Sequence, residues 1–308
     1  MSLYSSNYDV IIIGGSYAGL SAAMVLGRSL RRVLVLDNGK PANRQTPHSH
    51  SFLTRDGATP AELSAIARQQ ALAYPTVQLI EATVTSSAQD SQTFVVTTDS
   101  GATYSASRLL LATGLKDQFP AIPGFAECWG ISVLHCPYCH GYEVHGQTLG
   151  VLANGDDGFE FGRLIHHWSP NLTLFTNGPS TLSAEQTKAL TQHQITIVET
   201  PISAITHQNG QLSGLVLADQ TDYSLDALFA RSLLSQASPI AEQLGCLHND
   251  IGLVQIDEWG RTSVPGVFAA GDTHTMMRQV MVAGTNGLRT AVVINKDMIE
   301  EEFQNVLQ

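Results

Sequence analysis

Cys136 and Cys139, two residues apart, lie in the run His135-Cys136-Pro137-Tyr138-Cys139-His140-Gly141-Tyr142-Glu143 near the middle of the chain. Thiols at this spacing can close a small disulfide, or share a thiolate, with little backbone movement. Beside an α/β pattern the spacing suggests reversible redox chemistry. His140 directly follows the second cysteine. An imidazole ordinarily titrates near neutrality, so it can hold or deliver the proton that thiol exchange needs, and its cation would lower a neighbouring thiol pKa. A histidine hydrogen-bonded only for structure is the plainer alternative.

Three other readings of the run stay open beside the redox one. Cys-x-x-Cys-His also spells a c-type haem attachment site, but haem attachment follows export, and the N-terminus shows neither a basic start nor a long apolar run. Zinc could take His135, Cys136, Cys139 and His140, yet four nearly consecutive ligands close poorly around a tetrahedral ion. The pair could also be purely structural, since cysteines serve as small buried hydrophobes.

A second chemical signature opens the chain. Tyr8 to Ile13 is an apolar run too short for a helix and reads as a buried parallel strand. It runs into Gly14-Gly15-Ser16-Tyr17-Ala18-Gly19, then an alanine- and leucine-rich helical segment, then a strand from Arg32 to Leu36 ending at Asp37. Strand, glycine turn, helix, strand and acid together make the dinucleotide fingerprint. Gly14 permits the tight turn, Gly19 lets the helix approach the strand, and the helix N-terminus offers N–H groups to a pyrophosphate. Asp37, 23 positions after Gly14, can accept from ribose hydroxyls; Ser16 stands where the middle glycine is usual. An ordinary glycine turn before a core helix is the bland alternative.

The rest of the chain reads as the frame for these two features. Asn38 to Gly57 is an irregular loop whose His48 and His50 read equally as ligand contacts or solvated side chains. A helix is expected from Thr59 to Ala73, with Thr59 as N-cap and Pro60 at N1. One strand is expected from Val77 to Thr85, then a hairpin from Phe94–Thr98 through Asp99-Ser100-Gly101 into another short strand. A separate buried strand, Leu109 to Ala112, ends in small residues at Thr113-Gly114. Lys116 to Phe125 reads as a linker out of the first domain. The plan then repeats: a strand at Thr148–Leu152, a helix to Trp168, strands at Leu172–Phe175 and Ile195–Glu199, and a hairpin around Asn209-Gly210. In this copy the turn is Ala153-Asn154-Gly155-Asp156-Asp157-Gly158, with two carboxylates where a pyrophosphate needs donors. The next strand ends Thr176-Asn177-Gly178, with no arginines to grip a 2′-phosphate and no acid for a 2′-hydroxyl; a divergent but competent site remains the alternative. Past Cys246 the chain is expected to return to the first domain. There Val267–Ala270 ends at Gly271-Asp272, Asp272 can bond sugar-like hydroxyls, and Arg278-Gln279-Val280 begins the closing helix. Met298 to Gln308 reads as a peripheral helix end.

The expected fold class is α/β, with two Rossmann-like, FAD/NAD(P)-binding-type domains, the second inserted in the first. Residues 1–116 and 247–308 form the first, and 117–246 the second. A length of 308 residues suits two domains. A net charge of −11 argues against nonspecific nucleic-acid binding or attraction to anionic lipid. No uncharged apolar run approaches membrane-spanning length. Cys128 and Cys246 read as core residues, and a reducing cytoplasm is the expected setting.

These residues resemble the low-molecular-weight thioredoxin reductase family over nearly the whole chain. The likeness rests on Gly14–Gly19, Ala112-Thr113-Gly114, the Cys136/Cys139 pair, and Val267–Asp272 followed by Arg278-Gln279. It implies a homodimer with FAD in the first domain, held by Gly14, Ser16, Ala18, Gly19, Asp37, Asn43, Val84, Ala112, Thr113, Gly114, Gly271, Asp272, Arg278, Gln279 and Val280. It also implies that Cys139 faces the flavin as the charge-transfer thiolate while Cys136 exchanges with a partner disulfide. His140 stands where the family usually has an acid, and the segment from Asp272 to Arg278 is one residue short. Cys-Pro-Tyr-Cys-His-Gly-Tyr-Glu looks like the NADPH-independent branches, FAD-dependent dithiol oxidases and diflavin-linked disulfide oxidoreductases; in the latter a second FAD lies near the usual NADPH position. The resemblance thus implies a thioredoxin-like protein or a small dithiol or disulfide as partner, an unidentified electron donor, one FAD per chain and a place for a second. A dithiol oxidase using dioxygen, an NADPH-dependent thioredoxin reductase and a non-enzymatic flavin sensor are the alternatives.

Overall fold

The computed structural model describes residues 7–91 and 93–305. In chain order the elements begin with β1 (Asn7–Ile13), α1 (Tyr17–Arg28), β2 (Val33–Asp37), α2 (Pro60–Leu72), β3 (Val77–Glu81), β4 (Val84–Asp90), β5 (Thr93–Thr98) and β6 (Thr103–Leu111). Next come β7 (Leu115–Gln118), α3 (Phe125–Cys128), β8 (Val133–Leu134), α4 (Pro137–His140), β9 (Leu149–Leu152), α5 (Gly155–Ile165), β10 (Leu172–Phe175), α6 (Ala184–Gln192) and β11 (Thr196–Val198). Then follow β12 (Ile202–Gln208), β13 (Gln211–Leu217), β14 (Asp222–Ser224), β15 (Ala227–Ala230), β16 (Leu233–Gln236), α7 (Ile240–Gln243), β17 (Val267–Ala269), a 3₁₀ turn (Gly271–His274) and α8 (Val280–Asn305). No helix among the described residues is long and apolar enough to cross a membrane.

The chain forms two units. The first takes residues 1–44, 61–116 and 234–308, and its sheet runs β3-β2-β1-β6-β5-β4, with β17 also on β6. The Val10–Ile13 half of β1 is apolar without interruption because both of its faces are covered. Val10 and Ile12 pack into one core cluster, with α1 and α8 residues such as Leu26 and Ile294; Ile11 and Ile13 pack into another, with Leu34 and Leu109. The second unit takes residues 45–60 and 117–233. Its sheet runs β11-β10-β9-β15-β8, beside a separate meander β12-β13-β14. Both central sheets place their second strand beside the first and cross over through a helix, so the architectural repeat is real. The two connecting strands, β7 and β16, pair with each other.

Several sequence expectations are corrected. Val77 to Thr85 is two strands: β3 lies parallel to β2, whereas β4 turns away and pairs antiparallel with β5. The return arm of the hairpin and the buried Leu109 strand are one strand, β6. Its first half pairs antiparallel with β5, and its apolar second half pairs parallel with β1 and β17. The chain rejoins the first unit at Leu234 rather than past Cys246, because Ile240, Ala241 and Cys246 pack into that unit's core. The 45–60 loop groups with the second unit, where Gln45 Nε2 donates to the Ala126 carbonyl. The segment read as a linker from Lys116 contains most of β7, and α8 begins at Val280, after Arg278 and Gln279. From Val280 the last helix is continuous to Asn305; the part of the expected helix end beyond it lies outside the described residues.

Candidate functional site

In the first unit, β1, β6 and β17 all end in small residues, at Gly14, Ala112-Thr113-Gly114 and Ala270-Gly271. Their ends are stitched together: Gly14 N donates to Leu36 O, Ala112 N to Ile13 O and Ala270 N to Leu111 O. Gly14 has φ +107°, and a Cβ there would meet Ala112 O at 2.2 Å. A Cβ on Gly19 would meet Gly14 O at 1.9 Å, so α1 sits on the turn only because both positions are glycine. Ala18 packs likewise against Gly271 and Gly287. Ser16 is the N-cap of α1 without a side-chain cap bond, and the first turn of α1 carries no acid. Asp37, at the end of β2, accepts from Gly15 N at 2.9 Å.

The remaining expected cofactor residues fall in several places. Thr113 Oγ1 lies 3.4 Å from Thr273 Oγ1, and Gly114 N donates to that same hydroxyl. Asp272, expected to meet sugar hydroxyls, accepts from Arg278 Nε at 3.2 Å, with both side chains largely buried. Arg278 and Gln279 precede α8, and Val280 opens it. Val84 points its side chain into the core, leaving its backbone as the only surface a ligand could meet. Asn43 is half-buried in the loop after β2. Sequence reasoning missed Gln236, whose Nε2 holds the carbonyls of Gly252 and Thr273 while its buried Oε1 has no hydrogen-bond partner. His274 Nε2 is buried in the same condition, and burial, then Arg289, holds that ring below its ordinary pKa and so neutral. No sequence pattern marks either residue. An uncapped helix start over a glycine turn, an acid at the end of β2 and unmatched buried polar atoms fit a dinucleotide cofactor such as FAD.

In the second unit Cys136 and Cys139 form a disulfide, with Cα atoms 5.3 Å apart. Cys136 is the N-cap of α4, Pro137 supplies N1, and Cys139 N and His140 N both donate to Cys136 O. α4 is a single turn held from several sides. His135 stacks on Trp129, and Tyr138 meets the edge of Trp168 at 5.6 Å. Gly141 packs so closely that a Cβ would lie 2.6 Å from Trp168 Nε1. Trp168 is a supporting residue that the sequence did not single out. Tyr138 and Tyr142 remain exposed beside the disulfide.

His140 departs from the sequence expectation. Burial, then the neighbouring His135, pushes its pKa down to about 4, with Glu143 pulling upward and His50 downward. The ring beside the disulfide is therefore neutral at pH 7, a base rather than the imidazolium expected to activate a thiol. Of the two loop histidines, His48 Nδ1 lies 2.9 Å from Gly57 O, whereas His50 reaches Glu143. Cys128 and Cys246 are free and buried, and burial raises both thiol pKa values.

The second glycine turn of the chain contrasts with the first. Asn154 caps α5, its Oδ1 accepting from Gly155 N, Thr181 N and Thr181 Oγ1. Asp156 accepts from Gln186 Nε2, and Asp157 pairs with Arg231 at 2.6 Å. The chain's own side chains thus occupy the start of α5.

Comparisons with known proteins agree with this layout. The family described as pyridine nucleotide-disulphide oxidoreductase matches residues 8–287. The thioredoxin reductase tcpT of Claviceps purpurea is 32% identical over 296 residues, covering 92% of each chain. A thioredoxin reductase of Treponema pallidum is 30% identical over 301 residues, covering 93% of this chain and 95% of its own. Among solved structures, an oxidoreductase from Agrobacterium tumefaciens superposes with a TM-score of 0.89 at 36% identity, covering 96% of this chain and 99% of its own.

Proposed function

The chain belongs to the pyridine nucleotide-disulphide oxidoreductase family, and from that premise we propose that it carries electrons between FAD and a thioredoxin-like protein or small disulfide through Cys136 and Cys139, independently of NADPH. Flavin-dependent disulfide oxidoreduction is the family's chemistry; the route, the partner and the independence are the proposal. The observation that carries it is the formed Cys136–Cys139 disulfide next to a half-buried, neutral His140.

FAD, when bound, supplies a two-electron carrier. Gly14, Ser16, Ala18 and Gly19 would seat its pyrophosphate, Asp37 its ribose, and Ala112-Thr113-Gly114, Gly271 and Asp272 to Val280 the remainder. Two electrons and one proton convert the disulfide to a Cys139 thiolate and a Cys136 thiol. Cys136 then passes its proton to a ring nitrogen of His140 and attacks the partner's disulfide. One partner sulfur leaves and takes the proton from His140. Cys139 attacks Cys136 to restore the internal disulfide, releasing the second partner thiolate, which takes a proton from solvent. A base that is neutral at rest and adjacent to a nascent thiolate suits both proton steps.

NADPH independence rests on the contrast between the two glycine turns. A pyrophosphate at α5 would face Asp156 and Asp157 and displace the bonds of Asn154. We further propose a homodimer. Exposed Met281, Leu288, Val292, Ile299 and Phe303 recur at seven- and four-residue steps along α8, a spacing that forms an apolar seam.

The test uses FAD-loaded Cys136→Ser and Cys139→Ser variants. The first should show a long-wavelength absorption band from the Cys139 thiolate against oxidised flavin, and the second should not. If both variants keep full dithiol–disulfide activity, the proposed route is wrong.

A further inference from the structure

The geometry points to Glu143, held by His50 of the 45–60 loop, as a positioning residue that sets how readily His140 takes up a proton. The inference rests on the reading of Cys136 and Cys139 as the redox centre, and neither Glu143 nor His50 has a role in that reading.

The His50 ring lies between two carboxylates, with Nδ1 3.5 Å from Asp56 Oδ2 and Nε2 3.4 Å from Glu143 Oε1. Asp56 is itself fixed, because its Oδ1 accepts from Ser51 N at 2.7 Å. Ser51 adopts a left-handed φ of +60°, and its Oγ donates to the Tyr138 carbonyl at 3.4 Å. Ser49 N donates to Ala58 O and Gly57 N to Ser49 O, closing the loop at its base. A segment some 90 residues away in sequence thus touches the cysteine turn twice, at the Tyr138 backbone and the Glu143 carboxylate.

Stability alone does not account for this arrangement. Half-exposed histidine–carboxylate contacts are screened by solvent and stabilise little, while a serine at positive φ carries backbone strain. What the contacts do fix is the Glu143 carboxylate, three residues after His140, against the His50 ring. The groups facing His140 are His135 before α4, Glu143 after it and His50 from the loop. Glu143 favours the imidazolium; the two histidines and burial oppose it. In the exchange step the Cys136 S–H proton goes to His140 and then to the partner's leaving sulfur. The charge on that ring while it holds the proton is the quantity that Glu143 adjusts and His50 moderates.

The experiment uses FAD-loaded holoprotein labelled with ¹³C at histidine Cε1, the His140 signal being assigned by its loss in His140→Gln. Titration by NMR is paired with the pH–rate profile of the reduced protein toward a small aromatic disulfide, Ellman's reagent. Glu143→Gln should move both the His140 midpoint and the acid limb of the profile to lower pH. The displacement should be about half a unit, roughly a threefold change at fixed pH. Glu143→Asp should restore the wild-type positions in part. A merely structural role predicts lower stability with neither midpoint displaced, and that result would overturn the inference. If His140→Gln itself leaves the acid limb in place, the reading of His140 as proton carrier fails instead.

Discussion

His140 should make the protein's stability depend on pH in a way that one substitution removes. In the folded disulfide form its pKa is about 4, against 6.5 for an unperturbed histidine. The unfolded chain therefore binds the proton first as the pH falls, and stability is lost between pH 6.5 and 4. Above 6.5 both states are neutral and His140 contributes no slope; below 4 both are protonated and the loss is complete. The full shift corresponds to roughly 3 kcal/mol, at about 1.4 kcal/mol per pH unit. About 2 kcal/mol of it falls between pH 6.5 and 5, where carboxylate protonation interferes little. Glutamine fills similar space and does not titrate. Denaturant unfolding of oxidised wild type and His140→Gln should therefore give a stability difference that moves in favour of the variant by about 2 kcal/mol over that interval. The difference between the two proteins cancels the other titrating groups. A constant difference across the interval would show that His140 is not held in a buried, proton-repelling environment.

Gly19→Ala should abolish flavin retention or folding, since its Cβ would meet Gly14 O at 1.9 Å; flavin absorbance per chain after gel filtration reads this directly. Gly141→Ala should cost about 1–3 kcal/mol by overpacking α4 against Trp168, and should slow disulfide exchange more than it weakens flavin binding. Anaerobic mixing with excess NADPH or NADH should leave the flavin absorbance unbleached on the turnover timescale; rapid bleaching would return the protein to nicotinamide-dependent reductases. Ile299→Asp on α8 should convert a dimer to monomers in sedimentation velocity, and a wild-type monomer would refute the assembly.

What was legible in the sequence was set by local backbone demands. Gly14 and Gly19 announce a turn that tolerates no Cβ, and the unbroken apolar run from Val10 to Ile13 announces a strand covered on both faces. The disulfide was legible as a spacing. What escaped was decided by distant partners. Nothing near Thr103 says that one strand will pair antiparallel with β5 and then parallel with β1 and β17. Ala241 and Cys246 look like any apolar residues until the core that receives them is known. Asp272 is turned toward Arg278 by a short reversal that the sequence read as the start of a helix. The depressed His140 pKa depends first on burial, which only the fold decides, then on His135 and last on His50, so a reading that left out burial put the proton on the ring rather than off it.

The central claim is that the flavin and the Cys136–Cys139 disulfide form one electron-carrying system. The most direct measurement is an anaerobic reductive titration of the FAD-loaded protein with dithionite, run beside its Cys139→Ser variant. A disulfide is a two-electron couple, so the wild type should take up two more electrons per chain than the variant before the flavin is fully bleached, whatever the number of flavins bound. Equal electron uptake by the two proteins would mean that the cysteines do not exchange electrons with the flavin, and would contradict the account.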